Sequence, residues 1–190
     1  DLGEDELTII YKIMGRGTAE LSEYEAGEEL DVLVGLGNGY SLSESGDEPL
    51  LIGGGVGIPP LYLLAKRLVS EGKKVKVLIG FNKAEDMFYV DEFSKLADEL
   101  VITTADGSYG IKGFVDKPIA DIKHSYIYTC GPEAMLKSVY AASSGRGQFS
   151  FEERMGCGFG ACMGCSCKTL TGNKRICKEG PVMRKEEILW

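Results

Sequence analysis

The sequence predicts an α/β protein: a doubly wound parallel sheet, with a segment of strands and turns before it and a small cysteine-bearing appendage after it. Three observations carry this reading. Apolar, strand-like runs alternate with amphipathic helical runs from Leu50 to about Phe151, a pattern that implies parallel strands joined by crossover helices. The first of these strands runs straight into a glycine-rich turn, GGGVGIPPL, Gly53 to Leu61. Five of the six cysteines fall between Cys157 and Cys177.

The elements follow in order. LTIIYKIM (Leu7 to Met14) alternates like a strand, GRGTAELSEY turns into a short helix, and EELDVLV reads as a second strand. GLGNGYSL is a glycine-rich turn, and SESGDEP (Ser43 to Pro49) is polar, acidic and Gly/Pro-bearing, which predicts a linker. LLIGG is then a short apolar strand, and PPLYLLAKRLVSEG has apolar residues at helical spacing, with Pro59 and Pro60 near its start. KVKVLIGF is strand, DEFSKLADE helix, LVITTADG strand and SYIYTCG strand. PEAMLKSVYAASSG is a helix closed by Gly145, and GQFSFEE (Gly147 to Glu153) is a final strand leading into the cysteines. The divisions are placed at 1–46, 47–151 and 152–190.

A net charge of -8 argues against nonspecific binding to nucleic acid or anionic membrane. No apolar run approaches the roughly 20 residues a bilayer span needs, and no signal peptide opens the sequence. A disulfide framework would spread cysteines across the fold, so their clustering points to metal in a reducing compartment, hence the cytoplasm. The sequence begins with Asp1, not Met, and its first strand has almost no lead-in. A longer, truncated chain is therefore expected.

In MGCGFGACMGCSCKTLTGNKRIC, Cys157, Cys162, Cys165 and Cys177 are separated by four, two and eleven residues. Gly156, Gly158, Gly160, Ala161 and Gly164 surround the first three. An iron–sulfur cluster needs thiolates converging on one point with backbone amides aimed at the sulfurs, and small residues let the chain wrap that closely. The first three spacings are those of the plant-type two-iron run, although the fourth cysteine arrives much sooner. Four thiolates also suit zinc, but zinc knuckles favour paired C-x-x-C units over this run of three plus one. Cys167 would point the same way as Cys165 along a strand, either as a fifth thiol near the metal or as a packed neighbour.

In doubly wound sheets, ligands bind outside the carboxyl ends of the strands. Gly53, Gly54, Gly55 and Gly57 would let amides approach a pyrophosphate there, although Ile58 stands where a dinucleotide fingerprint has its third glycine. The alternative is a tight turn with glycines for packing only. TCGPEAML brings Cys130, Gly131 and Pro132 to another strand end. Cys130 suits a small buried hydrophobe equally well. His124, the sole histidine, lies at that strand's opposite end, so thiol catalysis has no base.

GGGVGIPPL and TCGPEAML together resemble the pyridine-nucleotide-binding half of the ferredoxin–NADP⁺ reductase superfamily. With EERMGCGFGACMGCSCKTLTGNKRICKEGPV appended, the chain is similar to the electron-transfer subunits of two-subunit, NAD-linked dihydroorotate dehydrogenases, over nearly its whole length. The resemblance implies a flavin barrel, a nucleotide domain and a cluster segment in that order, making residues 1–46 a partial β-barrel remnant. The family's earlier Arg-x-x-Ser-like flavin strand is absent. The resemblance implies three cofactors: a 2Fe–2S cluster on Cys157, Cys162, Cys165 and Cys177, FAD, and NAD. Gly17 and Thr18 would meet the flavin pyrophosphate, and Leu36, Gly37 and Asn38 would run past the flavin. Gly53, Gly54, Gly55, Gly57, Pro59, Asp106, Cys130, Gly131 and Pro132 would line the nucleotide crevice, although Asp-Gly at 106 is also an ordinary turn former. After the second strand, Glu85 and Asp86 outweigh Lys83, which favours NAD over NADP. The implied function passes electrons from dihydroorotate oxidation to NAD⁺ in pyrimidine biosynthesis. It needs no acid–base residue here, but does need an FMN-containing catalytic subunit, two of each forming a heterotetramer. A reductase subunit serving ferredoxin or hydrogenase, or a zinc-stabilised interaction module, are the rival readings.

Overall fold

The computed structural model describes residue 3 and residues 5–190. β1 (Pro49–Gly54) is buried at every position, so it needs cover on both faces, as a central parallel strand does. Around it lie β2 (Lys76–Phe81), β3 (Glu99–Thr104), β4 (Ile111–Lys112), β5 (Tyr126–Cys130) and β6 (Gly147–Ser150). The C-terminal segment adds a hairpin of β7 (Ser166–Thr169) and β8 (Gly172–Arg175), then β9 (Val182–Arg184). The main sheet runs β4-β3-β2-β1-β5-β6-β9, parallel except for β9, which pairs antiparallel with β6. The helices are α1 (Arg16–Leu21), α2 (Ile58–Ser70), α3 (Val90–Ser94) and α4 (Glu133–Ala142).

Each sheet face buries its own cluster. α2 lays Leu61, Leu64, Ala65 and Leu68 against Leu51, Val77, Ile79 and Tyr128. α4 sets Leu136 and Val139 on the other face, with Leu50, Ile52, Leu78, Ile127 and Phe149. Each such Val, Leu, Ile or Phe side chain, taken fully out of water, contributes about 1.5–3 kcal/mol. The chain leaves β1 outward through β2, β3 and β4, then returns to β5 on β1's other side. That reversal opens a crevice at the carboxyl ends of β1 and β5.

Several expectations are corrected. LTIIYKIM and EELDVLV are not strands: beyond a single bridge at Leu7, α1 is the only regular element described before Pro49. Their alternation suits a pleated surface, but a strand also needs a partner's amides and carbonyls, and exposed Ile9, Ile13, Val32 and Val34 lie in no ladder among the described residues. The helix expected through Glu99 stops at Ser94, with β3 starting at Glu99. The expected linker at 43–49 is tied down: Ser125 Oγ donates to the Ser45 carbonyl (2.6 Å), and Arg146 pairs with Glu44 (2.6 Å). The cysteine segment packs onto the sheet: Cys165, Ile176, Cys177, Met183 and Ile188 share a core with β1, β5 and α4. No helix among the described residues is long and apolar enough to cross a membrane.

Candidate functional site

Gly53 of β1 lies opposite Cys130 of β5, so the glycine turn and the Cys-Gly-Pro step share the crevice mouth. A one-turn 3-10 segment, Gly55–Gly57, carries the chain into α2. A Cβ on Gly57 would sit 2.3 Å from the Cys130 carbonyl oxygen, so only glycine lets α2 start against β5. Gly55 is different: its φ is +55° and a Cβ would meet nothing within 4 Å, leaving its backbone open to the crevice. Gly53, Gly54 and Gly131 are packing glycines, their Cβ positions blocked by Leu61 and Met135. Pro59 and Pro60 carry no N–H, so the amides offered to an anion are those of the glycine turn. A cavity of about 760 Å³ opens there, walled by Gly54, Gly55, Val56, Asn82, Asp86 and Pro132, with Ile10 to Lys12 along one side.

Cys130 is half-buried beside Tyr40 and Ser150, and burial pushes its thiol up. Tyr40 is driven well above the usual phenol range, first by burial and then by Cys130, and its hydroxyl donates to the Thr129 carbonyl (2.8 Å). Both groups are therefore neutral at pH 7, so Cys130 offers no thiolate nucleophile to the crevice. Asp106 faces its own turn: its carboxylate accepts from the amide and hydroxyl of Ser108 (2.9 and 2.6 Å), which holds it below the usual range. Glu85 is paired with Lys83 (2.5 Å) in solvent, whereas Asp86 lines the cavity.

At α1, Thr18 Oγ1 accepts from the amides of Met14 (2.9 Å) and Gly15 (3.2 Å), while Gly17 has open space around it. Leu36, Gly37 and Asn38 dock on the cysteine segment. The Asn38 amide donates to the Gly180 carbonyl (2.6 Å), and its side chain joins the carbonyl and amide of Val182 (2.8 and 2.9 Å). Gly37, at φ +62°, has its Cβ position 2.2 Å from the Gly180 carbonyl oxygen.

The cysteines form two thiol pairs. Cys157 accepts the Cys162 amide, and Cys165 accepts the Cys177 amide, each at 3.5 Å. Gly164 donates to Cys162 Sγ, also at 3.5 Å. Left-handed Gly158, Gly160 and Met163 turn the loop so that these amides face inward. The Cys162 amide, helped by those of Phe159 and Ala161, lowers Cys157 to about 6. Cys165 is lowered by the Cys177 amide, while burial and the Cys165 charge raise Cys177. Charge coupling between Cys157 and Cys177 links the pairs. Among the described residues, no three His, Cys, Asp or Glu side chains already stand at metal-holding positions. Sulfur acceptors ringed by amides fit an iron–sulfur cluster. Cys167 packs partly buried against the shared core, and burial raises its thiol.

Arg175 was not foreseen. Its guanidinium donates to the Gly160 carbonyl (2.7 Å) and is locked by Glu179 through Nε (2.8 Å) and Nη2. The arginine–glutamate spacing of four residues was the one visible trace of this brace.

A family model described as the iron–sulfur cluster binding domain of dihydroorotate dehydrogenase B matches residues 152–189, and an oxidoreductase NAD-binding domain model matches 51–141. The chain is 45% identical to the dihydroorotate dehydrogenase B (NAD(+)) electron transfer subunit of Bacillus pumilus (strain SAFR-032), over 97% of this chain and 74% of that one. It is 43% identical to the same-named subunit of Shouchella clausii (strain KSM-K16), over 100% and 76%. A solved NADH-dependent reduced ferredoxin-NADP oxidoreductase superposes with a TM-score of 0.83 at 34% identity, covering 95% of this chain and 67% of that one.

Proposed function

The chain belongs to the electron-transfer subunits of dihydroorotate dehydrogenase B, and from that membership we propose how its site residues divide among three electron carriers. The subunit passes electrons from dihydroorotate oxidation, on a catalytic partner subunit, to NAD⁺ in pyrimidine biosynthesis, with a 2Fe–2S cluster, FAD and NAD as cofactors. The cluster carries single electrons, NAD accepts hydride, and the flavin does both.

Cys157, Cys162, Cys165 and Cys177 would hold the cluster, with the amides of Cys162, Gly164 and Cys177 stabilising its sulfur charge. Gly17, Thr18 and the Leu36–Asn38 loop are assigned to FAD, Gly17 through its open amide. Gly55 offers the exposed backbone for the NAD pyrophosphate, while Gly53, Gly54, Gly57, Gly131 and Pro132 shape the turn around it. Pro59 ends the run of free amides, Cys130 closes the crevice floor as a neutral thiol, and Asp106 holds the adjoining loop through Ser108. The observation that carries the reading is the ring of inward amides on the cysteine pairs. Iron and acid-labile sulfide analysis of anaerobically prepared protein tests it: about two of each per chain are expected, and zinc without sulfide would overturn it.

Asp86 at the cavity wall favours NAD. With Lys83 neutralised by Glu85, an added 2′-phosphate meets uncompensated negative charge. Calorimetric titration should find NADH bound about tenfold more tightly than NADPH; tighter NADPH binding would move the phosphate contact to Lys83.

The partner we propose is an FMN-containing catalytic subunit, two of each assembling in the cytoplasm. Met155, Phe159 and Met163 stand 58%, 60% and 53% exposed around the cysteines, and Met and aromatic side chains are enriched at interface cores. Phe159→Glu should weaken association with that subunit about tenfold or more, as loss of a buried aromatic anchor does, with the cluster spectrum unchanged. Co-purification at wild-type stoichiometry would place the docking face elsewhere.

A further inference from the structure

Pairing register puts Gly54 of β1 opposite Gly80 of β2, and Gly80 opposite Thr103 of β3. Alternation along each strand turns all three toward the α4 face, with Ile52, Leu78 and Val101 one step below. Two glycines leave this row bare, so Thr103 carries its one side chain above the core. Thr103 is wholly buried, yet its hydroxyl has no hydrogen-bond partner among the described residues. Asp116, in the loop after β4, likewise buries Oδ1 without a partner. Both residues line the 760 Å³ cavity that begins at Gly55. Orphaned buried oxygens on two elements weaken a ligand-free fold, and their common direction calls for a ligand that satisfies them.

The chemistry of that ligand follows from the atoms. A carboxylate oxygen only accepts, while a threonine hydroxyl both donates and accepts. A vicinal diol fits the pair, one hydroxyl donating to Asp116 and the other exchanging with Thr103; a phosphate ester would be repelled by Asp116. From Gly55 the crevice runs two ways. On the side of β5 and β6 lie Tyr40, bonded to the Thr129 carbonyl, and the Leu36–Asn38 loop on Gly180 and Val182, the loop assigned above to the flavin, so the nicotinamide belongs there. The other half lies over β2 and β3. We infer that Thr103 and Asp116 bind the adenosine ribose hydroxyls of NAD. Asp86, in the turn after β2, lines the same cavity, but Asp116, in the loop after β4, is the acid whose buried Oδ1 lacks a partner among the described residues. The inference rests on the NAD assignment made above.

Anaerobic calorimetry on the assembled holoenzyme, flavin in place, tests it with NAD⁺, ADP-ribose and nicotinamide mononucleotide. Thr103→Val and Asp116→Asn should each weaken NAD⁺ and ADP-ribose about tenfold or more and leave nicotinamide mononucleotide unchanged. Thr103→Val should also keep or raise the ligand-free melting temperature, because it removes an orphaned hydroxyl; a purely structural residue would lower it. Wild-type affinities for NAD⁺ and ADP-ribose in both variants would overturn the inference, as would parallel loss for nicotinamide mononucleotide. A wild-type holoenzyme that binds none of the three would instead overturn the NAD assignment itself.

Discussion

Cys162→Ser is expected to abolish the visible charge-transfer spectrum of the reconstituted protein. Cys162 is the exposed member of its pair, so its loss opens the cluster to water on the side the fold protects least. It also removes the sulfur that accepts the Gly164 amide and the side-chain contact that helps lower Cys157. A serine oxygen is a harder, more basic donor that suits iron–sulfur chemistry poorly. Cys167→Ser should leave the spectrum largely intact, because that thiol is raised by burial and packs against the core. Absorption spectra and iron content of the two variants decide the matter. Loss in the Cys167 variant with retention in the Cys162 variant would reverse the ligand assignment.

Gly57→Ala should destabilise the protein by about 1–3 kcal/mol, the range for a side chain forced into a packed site, and weaken NAD⁺ binding tenfold or more. The new methyl would stand 2.3, 2.4 and 2.6 Å from Cys130 O, Cys130 C and Gly131 N. These are backbone atoms at the end of β5, so no rotamer relieves the clash and the helix start must move. Gly55→Ala is the matched control: its methyl meets open space, and the cost is the left-handed backbone, about 1–2 kcal/mol. Denaturant melts and calorimetry of the pair measure both effects. Wild-type stability in Gly57→Ala would mean that α2 is not seated against β5.

The parallel sheet was legible because its signal is local: each strand is an apolar run, and each crossover helix repeats near 3.6 residues. Residues 7–14 and 28–34 carry an equally clear alternation and still form no strand. Pattern reports what side chains tolerate, whereas a ladder depends on a partner elsewhere in the chain. β9 escaped for the opposite reason, since three residues, VMR, are too short to show any period. At the site, cysteine spacing and glycine density pointed to the cluster loop directly. What spacing cannot express is which amide meets which sulfur, nor that Arg175 would brace the loop at Gly160. Thr103 had no signature, because its role depends on two bare neighbours across the sheet.

The pairing of β9 with β6 turns the sheet into a ruler. Gln148 faces Arg184, Phe149 faces Met183 and Ser150 faces Val182, so the cysteine segment is anchored to the strand lying beside β5. Strand pairings shift only in whole residues, about 3.4 Å at a time, and each single step turns every side chain to the opposite face. The separation between thiols and crevice is thus available only in discrete settings. One residue added inside β9 would have to skip a whole notch.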